Sequence, residues 1–191
     1  MKLLDEILNY NEEFVTEKKY EAYITTKFPN KHMVILTCMD TRLLELLPKA
    51  LNLGNGDVKI VKDAGALLTH PFGSVMRSIL VAIYELQAEE VLVIGHYDCG
   101  MAGLKADPII EKMKARGVKE ETINTLSYSG IDVKNWLKGF DNVRDSVTHS
   151  VNVIRNHPLL PKEVSVHGLV IDPTTGKLDL IENGYEVSET E

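Results

Sequence analysis

Cysteine is scarce in this chain: there are two in 191 residues, at positions 38 and 99. In a reducing compartment so few thiols read as a metal-binding or catalytic pair rather than a structural disulfide. Long apolar runs are also missing, and none approaches the roughly 20 residues that a membrane-spanning helix needs. The opening "MKLLDEILNYNEEF" carries acids inside its apolar pattern and lacks a small-residue cleavage site, so a cytoplasmic location is expected. Clustered positive charge is absent, the net charge being −7 with Lys and Arg scattered. That excludes the electrostatic footprint of a nucleic-acid or anionic-membrane partner. No repeat, low-complexity segment or composition shift marks an internal boundary, so a single domain over residues 1–191 is expected, with residues 1–30 as an N-terminal helical arm.

What is present is a 44% hydrophobic chain in which short β-rich runs alternate with helical patterns, the signature of an α/β layer architecture. "HMVILTC", "DVKIVK" and "EVLVIGH" are compact runs, each followed by a turn and a helix-like pattern, as expected of parallel strands covered on both faces. The stretch "RLLELLPKALNL" predicts a helix closed by "GNG", with Pro48 marking a kink or early break. Ser74 is placed to cap "VMRSILVAIYEL", whose apolar positions run round most of the helix and call for more than one neighbour. Val143, Val147, Val151 and Ile154 fall at helical spacing, with Asp141 as cap and His157-Pro158 as the stop. "VSVHGLVID" and "KLDLIEN", joined through Pro-Thr-Thr-Gly, predict a terminal strand pair. The expected fold is therefore a mostly parallel central sheet flanked by helices, with an antiparallel edge.

The chemistry gathers at two strand ends. Cys38 closes one apolar run in "ILTCMDTR", and His96 and Cys99 stand as H-x-x-C in "IGHYDCG". If both runs are adjacent parallel strands, both motifs project from the carboxyl edge of the sheet, where sites in such folds lie. Two thiolates and an imidazole suit Zn²⁺, and three protein ligands leave a fourth position for water or substrate. Asp40 can fill that position or accept a hydrogen bond there, and Arg42 can hold it in the second role through a bidentate pair.

"CMDTR", "VKIVKDAGA" and "HYDCG" together resemble the β-class carbonic anhydrases, most closely their compact prokaryotic branch, over about His32 to Met101. The resemblance implies Cys38, His96 and Cys99 as zinc ligands and Asp40 with Arg42 as the aspartate-arginine dyad. It also implies a zinc enzyme that interconverts CO₂ and bicarbonate through a zinc-bound hydroxide. The partner it implies is a second copy, in a homodimer or dimer-based oligomer embraced by the N-terminal helices. Alternatives are a hydrolase of carbonyl sulfide or carbon disulfide, and a non-catalytic zinc-binding or regulatory protein with Asp40 as permanent fourth ligand. Asp63 departs from the family pattern, standing where an asparagine is common and so placing a carboxylate near the zinc. His70 reads as a solvated loop histidine rather than a proton shuttle, and Asp98 as a loop residue. Gly95 and Gly100 allow close approach or positive φ around the ligands, and Asp63 and Gly65 either line the cleft or form an ordinary strand-end turn.

Overall fold

The computed structural model describes residues 2–186; Met1 and residues 187–191, which the single-domain expectation includes, lie outside the described residues. Five strands, β1 (Met33–Cys38), β2 (Val58–Asp63), β3 (Glu90–His96), β4 (Ser165–Ile171) and β5 (Leu178–Glu182), form one sheet in the order β2-β1-β3-β4-β5. The first four run parallel and β5 returns antiparallel along β4, as the strand patterns predict. Val34, Ile35, Leu36 and Thr37 of β1 are completely buried. The reason is that helices cover both faces, and alternate residues therefore enter different cores. Val34 and Leu36 face α3 (Ser74–Tyr84) and α7 (Val143–Arg155), whereas Ile35 packs with Leu43 and Leu47 of α2 (Leu43–Ala50) and with both cysteines. Each such aliphatic side chain withdrawn from water stabilises the fold by about 1.5–3 kcal/mol.

The fit of α7 on the sheet demands missing side chains. A Cβ on Gly95 would stand 2.8 Å from Val147 and 2.9 Å from Val143, and one on Gly168 would stand 2.8 Å from Val147. Gly95 therefore serves helix packing, not a positive φ at the ligands, and a Cβ on Gly100 would meet nothing within 4 Å.

Several local readings need correction. Gly73, not Ser74, occupies the N-cap of α3, and no side chain caps it. Asn142, not Asp141, caps α7, its Oδ1 accepting from the amides of Arg144 (2.7 Å) and Asp145 (3.3 Å). The α2 helix runs through Pro48 to Ala50. In α3 only Met76, Ile79, Ala82 and Ile83 are buried, and Val81 and Tyr84 face outward, so within a single chain this helix packs by one face. An unforeseen layer follows β3: α4 (Ala106–Ala115), α5 (Glu120–Tyr128) and α6 (Val133–Leu137). These short helices bury only Ala106, Ile110 and Val133, too few apolar positions to form a stripe legible in sequence. The amino-terminal α1 (Leu3–Thr16) forms as its apolar spacing predicts, yet none of its residues is buried.

At the opposite end of the sheet from the cysteines, His167 of β4 is buried and its Nδ1 accepts from the Gly184 amide at 3.0 Å. Burial pushes its pKa below the ordinary histidine value despite Glu90 nearby, and Arg155 adds to the depression. The unfolded ring takes up a proton below about pH 6.5 while the folded ring does not. Its effect on stability is therefore nil above that pH, and destabilisation grows as pH falls from there toward the depressed folded value. Urea unfolding from pH 8 to pH 5 is expected to show this loss in the wild type and a shallower one in His167→Asn, whose Oδ1 can keep the Gly184 bond. Identical slopes would contradict the assignment.

Candidate metal centre

Because β1 and β3 pair in parallel, with Thr37 opposite Ile94, their carboxyl ends lie side by side. Cys38 is the last residue of β1 and His96 the last of β3. The chain then turns through Asp98, at φ 53°, to bring Cys99 back toward the same point. The Cys38 and Cys99 sulfurs and a His96 ring nitrogen lie within 4.8 Å of one another, the sulfurs being 3.9 Å apart. All three residues are at most 7% exposed.

The histidine is oriented for ligation. Its Nδ1 donates to the Tyr97 carbonyl at 2.8 Å, while Nε2 is buried with no hydrogen-bond partner. A buried nitrogen left without a partner is costly unless something else occupies its lone pair. The thiols carry the same message. Burial pushes the Cys38 thiol up, but the adjacent His96 ring and the amides of Gly65 and Asp40 outweigh it and the net shift is downward. Burial pushes Cys99 up, and the neighbouring Cys38 adds to the rise. One negative sulfur is tolerated and the second is opposed, a conflict that a divalent cation between them removes. This donor set fits a soft, tetrahedral metal ion.

Asp40 stands beside this cluster with its Oδ2 3.7 Å from His96 Nε2. Arg42 grips it by both oxygens, Nε donating to Oδ1 at 3.0 Å and Nη2 to Oδ2 at 2.8 Å, and the Arg42 amide adds a third bond to Oδ1 at 2.9 Å. The free side of the guanidinium reaches the loop after β3, where Nη1 donates to Asp98 Oδ2 at 2.8 Å and Nη2 to the Asp98 carbonyl at 2.9 Å. The sequence reading of Asp98 as a plain loop residue missed this link, and no local pattern announces a contact between residues 56 apart. Asp63 is tied to the turn that follows its own strand: its Oδ1 accepts from the Leu67 amide at 3.1 Å, and burial pushes its pKa up. The exposed His70 bonds Thr69 Oγ1 at 3.2 Å and lines a cleft of about 380 Å³ with Ile131 and Trp136. Next to the cluster lies a smaller cleft of about 260 Å³, lined by His96, Asp98, Cys99, Asn142 and Arg144.

Residues 33–178 match the family model described as carbonic anhydrase. The chain is 66% identical over 186 residues to the Bacillus subtilis (strain 168) protein named "Putative carbonic anhydrase YvdA", covering 97% of this chain and 94% of that one. It is 28% identical over 184 residues to a carbon disulfide hydrolase of Saccharolobus solfataricus, covering 88% of this chain and 86% of that one. Among solved structures, β-carbonic anhydrase isoform I of Trichomonas vaginalis matches with a TM-score of 0.86 at 34% identity, covering 97% of this chain and all of that chain.

The grip of Arg42 holds the Asp40 carboxyl well below the usual carboxylate range, at about 2. The unfolded chain protonates this group near pH 3.9. Its contribution to stability is thus present above about pH 3.9 and lost as pH falls through about 2. Carboxyl-carbon NMR titration of metal-stripped protein is expected to find the Asp40 midpoint far below those of free aspartates. In Arg42→Leu the midpoint is expected to rise toward the ordinary value, and a midpoint indifferent to Arg42 would refute the clamp.

Proposed function

Since the chain belongs to the β-carbonic anhydrase family, we propose that it catalyses the zinc-dependent, reversible hydration of CO₂ to bicarbonate and a proton. The observation that carries this reading is the buried Cys38–His96–Cys99 cluster with a partnerless His96 Nε2 at its heart. Cys38, His96 and Cys99 would hold the ion. Bound Zn²⁺ supplies a Lewis acid that lowers the pKa of water and so yields a strong nucleophile near neutral pH.

The chain's own residues supply the rest. Asp40 remains anionic throughout the working range because Arg42 holds its proton off, so its carboxylate is an acceptor rather than a proton store. An acceptor beside the cluster orients the nucleophile by taking its hydrogen bond at a fixed oxygen. Arg42 keeps that oxygen in place and opposes its collapse onto the ion, and the tie to Asp98 anchors Arg42 in turn. This grip favours a gated catalytic site over a non-catalytic one with Asp40 as permanent ligand. Hydrolysis of carbon disulfide is the second reading, supported by the similarity to a carbon disulfide hydrolase over 88% of the chain.

Metal analysis is expected to return about one zinc per chain, consistent with a three-ligand catalytic site, and Cys38→Ser to lose most of it. Stopped-flow measurements are expected to show CO₂ hydration that depends on this zinc. Zinc-loaded protein that leaves CO₂ untouched but releases hydrogen sulfide from carbon disulfide would transfer the assignment to the second reading. Inertness toward both would sink the catalytic proposal.

We also infer a single domain over residues 1–191, its arm of residues 1–30 packing on a second copy in a cytoplasmic homodimer or dimer-based oligomer. Support comes from α1, where Leu3, Leu4, Ile7 and Leu8 are all more than half exposed. A row of that size left in water costs the chain unless another surface covers it. Sedimentation at micromolar concentration is expected to give at least a dimer; a monomer would refute the arm's role.

A further inference from the structure

Ser150 lies midway along α7 with no exposed surface, a position where a hydroxyl is costly unless fully used. It is fully used. Its Oγ accepts from the Leu68 amide at 3.1 Å and donates to the Ala66 carbonyl at 3.3 Å. Those groups belong to the turn that follows β2, whose nearer end is tied by Asp63 Oδ1 accepting from the Leu67 amide at 3.1 Å. Between the ties stands Gly65, at φ 95°, whose amide donates to the Cys38 sulfur at 3.3 Å. A Cβ on Gly65 would meet Phe140 at 3.0 Å and Met101 at 3.1 Å. Ala66 then takes φ 56°, a left-handed conformation that alanine disfavours and that the bond from Ser150 helps to hold.

We propose that Ser150 is a positioning residue for the metal centre, holding the turn that keeps the Gly65 amide on the Cys38 sulfur. The proposal rests on the zinc reading above. An amide proton on a thiolate withdraws negative charge from the sulfur, so the sulfur donates less to the ion and the ion remains the stronger Lewis acid. The effect matters here because two thiolates already cancel the charge of a divalent cation. Ser146 provides the internal comparison: it is buried on the same helix, but its Oγ has no hydrogen-bond partner and no link to the turn.

The test replaces zinc by Co²⁺ and reads the thiolate-to-metal charge-transfer absorption together with metal affinity by competition with a chelator. In Ser150→Ala the bands are expected to move to lower energy, because the sulfur becomes more electron-rich, and affinity to fall about 10–100-fold, because the slackened turn no longer holds Cys38 in position and that loss outweighs the sulfur's stronger donation. Ser146→Ala is expected to leave both unchanged. A folded Ser150→Ala protein with wild-type bands and affinity would overturn the proposal, as would equal changes in the two serine variants. Should Ser150→Ala fail to fold, Asp63→Ala, which slackens the same turn from its other end, decides by the same bands. Wild-type protein lacking thiolate bands would instead refute the metal reading itself.

Discussion

Two parallel strands lying side by side deliver their carboxyl ends to the same edge of a sheet, and the candidate metal centre depends on that pairing between β1 and β3. Cys38 and His96 end those strands, so their separation is set by inter-strand hydrogen bonds rather than by loop conformation. A site built in this way inherits the stiffness of the sheet. The core beneath it is continuous with the site: the cysteines pack among Ile35, Leu43, Ile94 and Ile171. Excluding water there strengthens the charge interactions among the buried Cys38, His96 and Cys99, whereas the Arg42–Asp98 pair stays open to solvent.

That strengthening creates the problem that the surrounding residues address. Two sulfurs 3.9 Å apart cannot both carry charge comfortably in a dry environment, and an aspartate stands within reach of the same histidine. Arg42 answers the aspartate with a fork matched to both carboxylate oxygens. Backbone amides answer Cys38. A metal ion would answer the remainder, and the donor set is the kind that binds one. The protein thus supplies the geometry and part of the charge compensation, and the donor set leaves the rest to an ion.

Strand identity was legible because the buried parallel strands β1, β3 and β4 leave apolar runs and the edge strand β2 still alternates, and the antiparallel return of β5 was announced by its turn residues. Helix caps were not legible to the residue: Asn142 stands next to Asp141 and Gly73 next to Ser74, and either neighbour has the chemistry to cap. The α4–α6 layer went unforeseen because its helices are polar and anchored by single residues such as Val133. The one-sided burial of α3 could not be read either, since an apolar helix surface does not say which of its faces the fold covers.

At the candidate site, residue types and short spacings in "CMDTR" and "HYDCG" were enough to nominate Cys38, Asp40, Arg42, His96 and Cys99, because ligands within one turn are near each other in any fold. Contacts between segments far apart in the chain were beyond reach: Arg42 with Asp98, Gly65 with Cys38, and Ser150 with Ala66 and Leu68. Hydrophobic pattern and motif chemistry are local properties written into consecutive residues. Which strand neighbours which, which amide reaches which sulfur and which helix braces which turn emerge only when the chain packs, since they depend on distances that no linear spacing encodes.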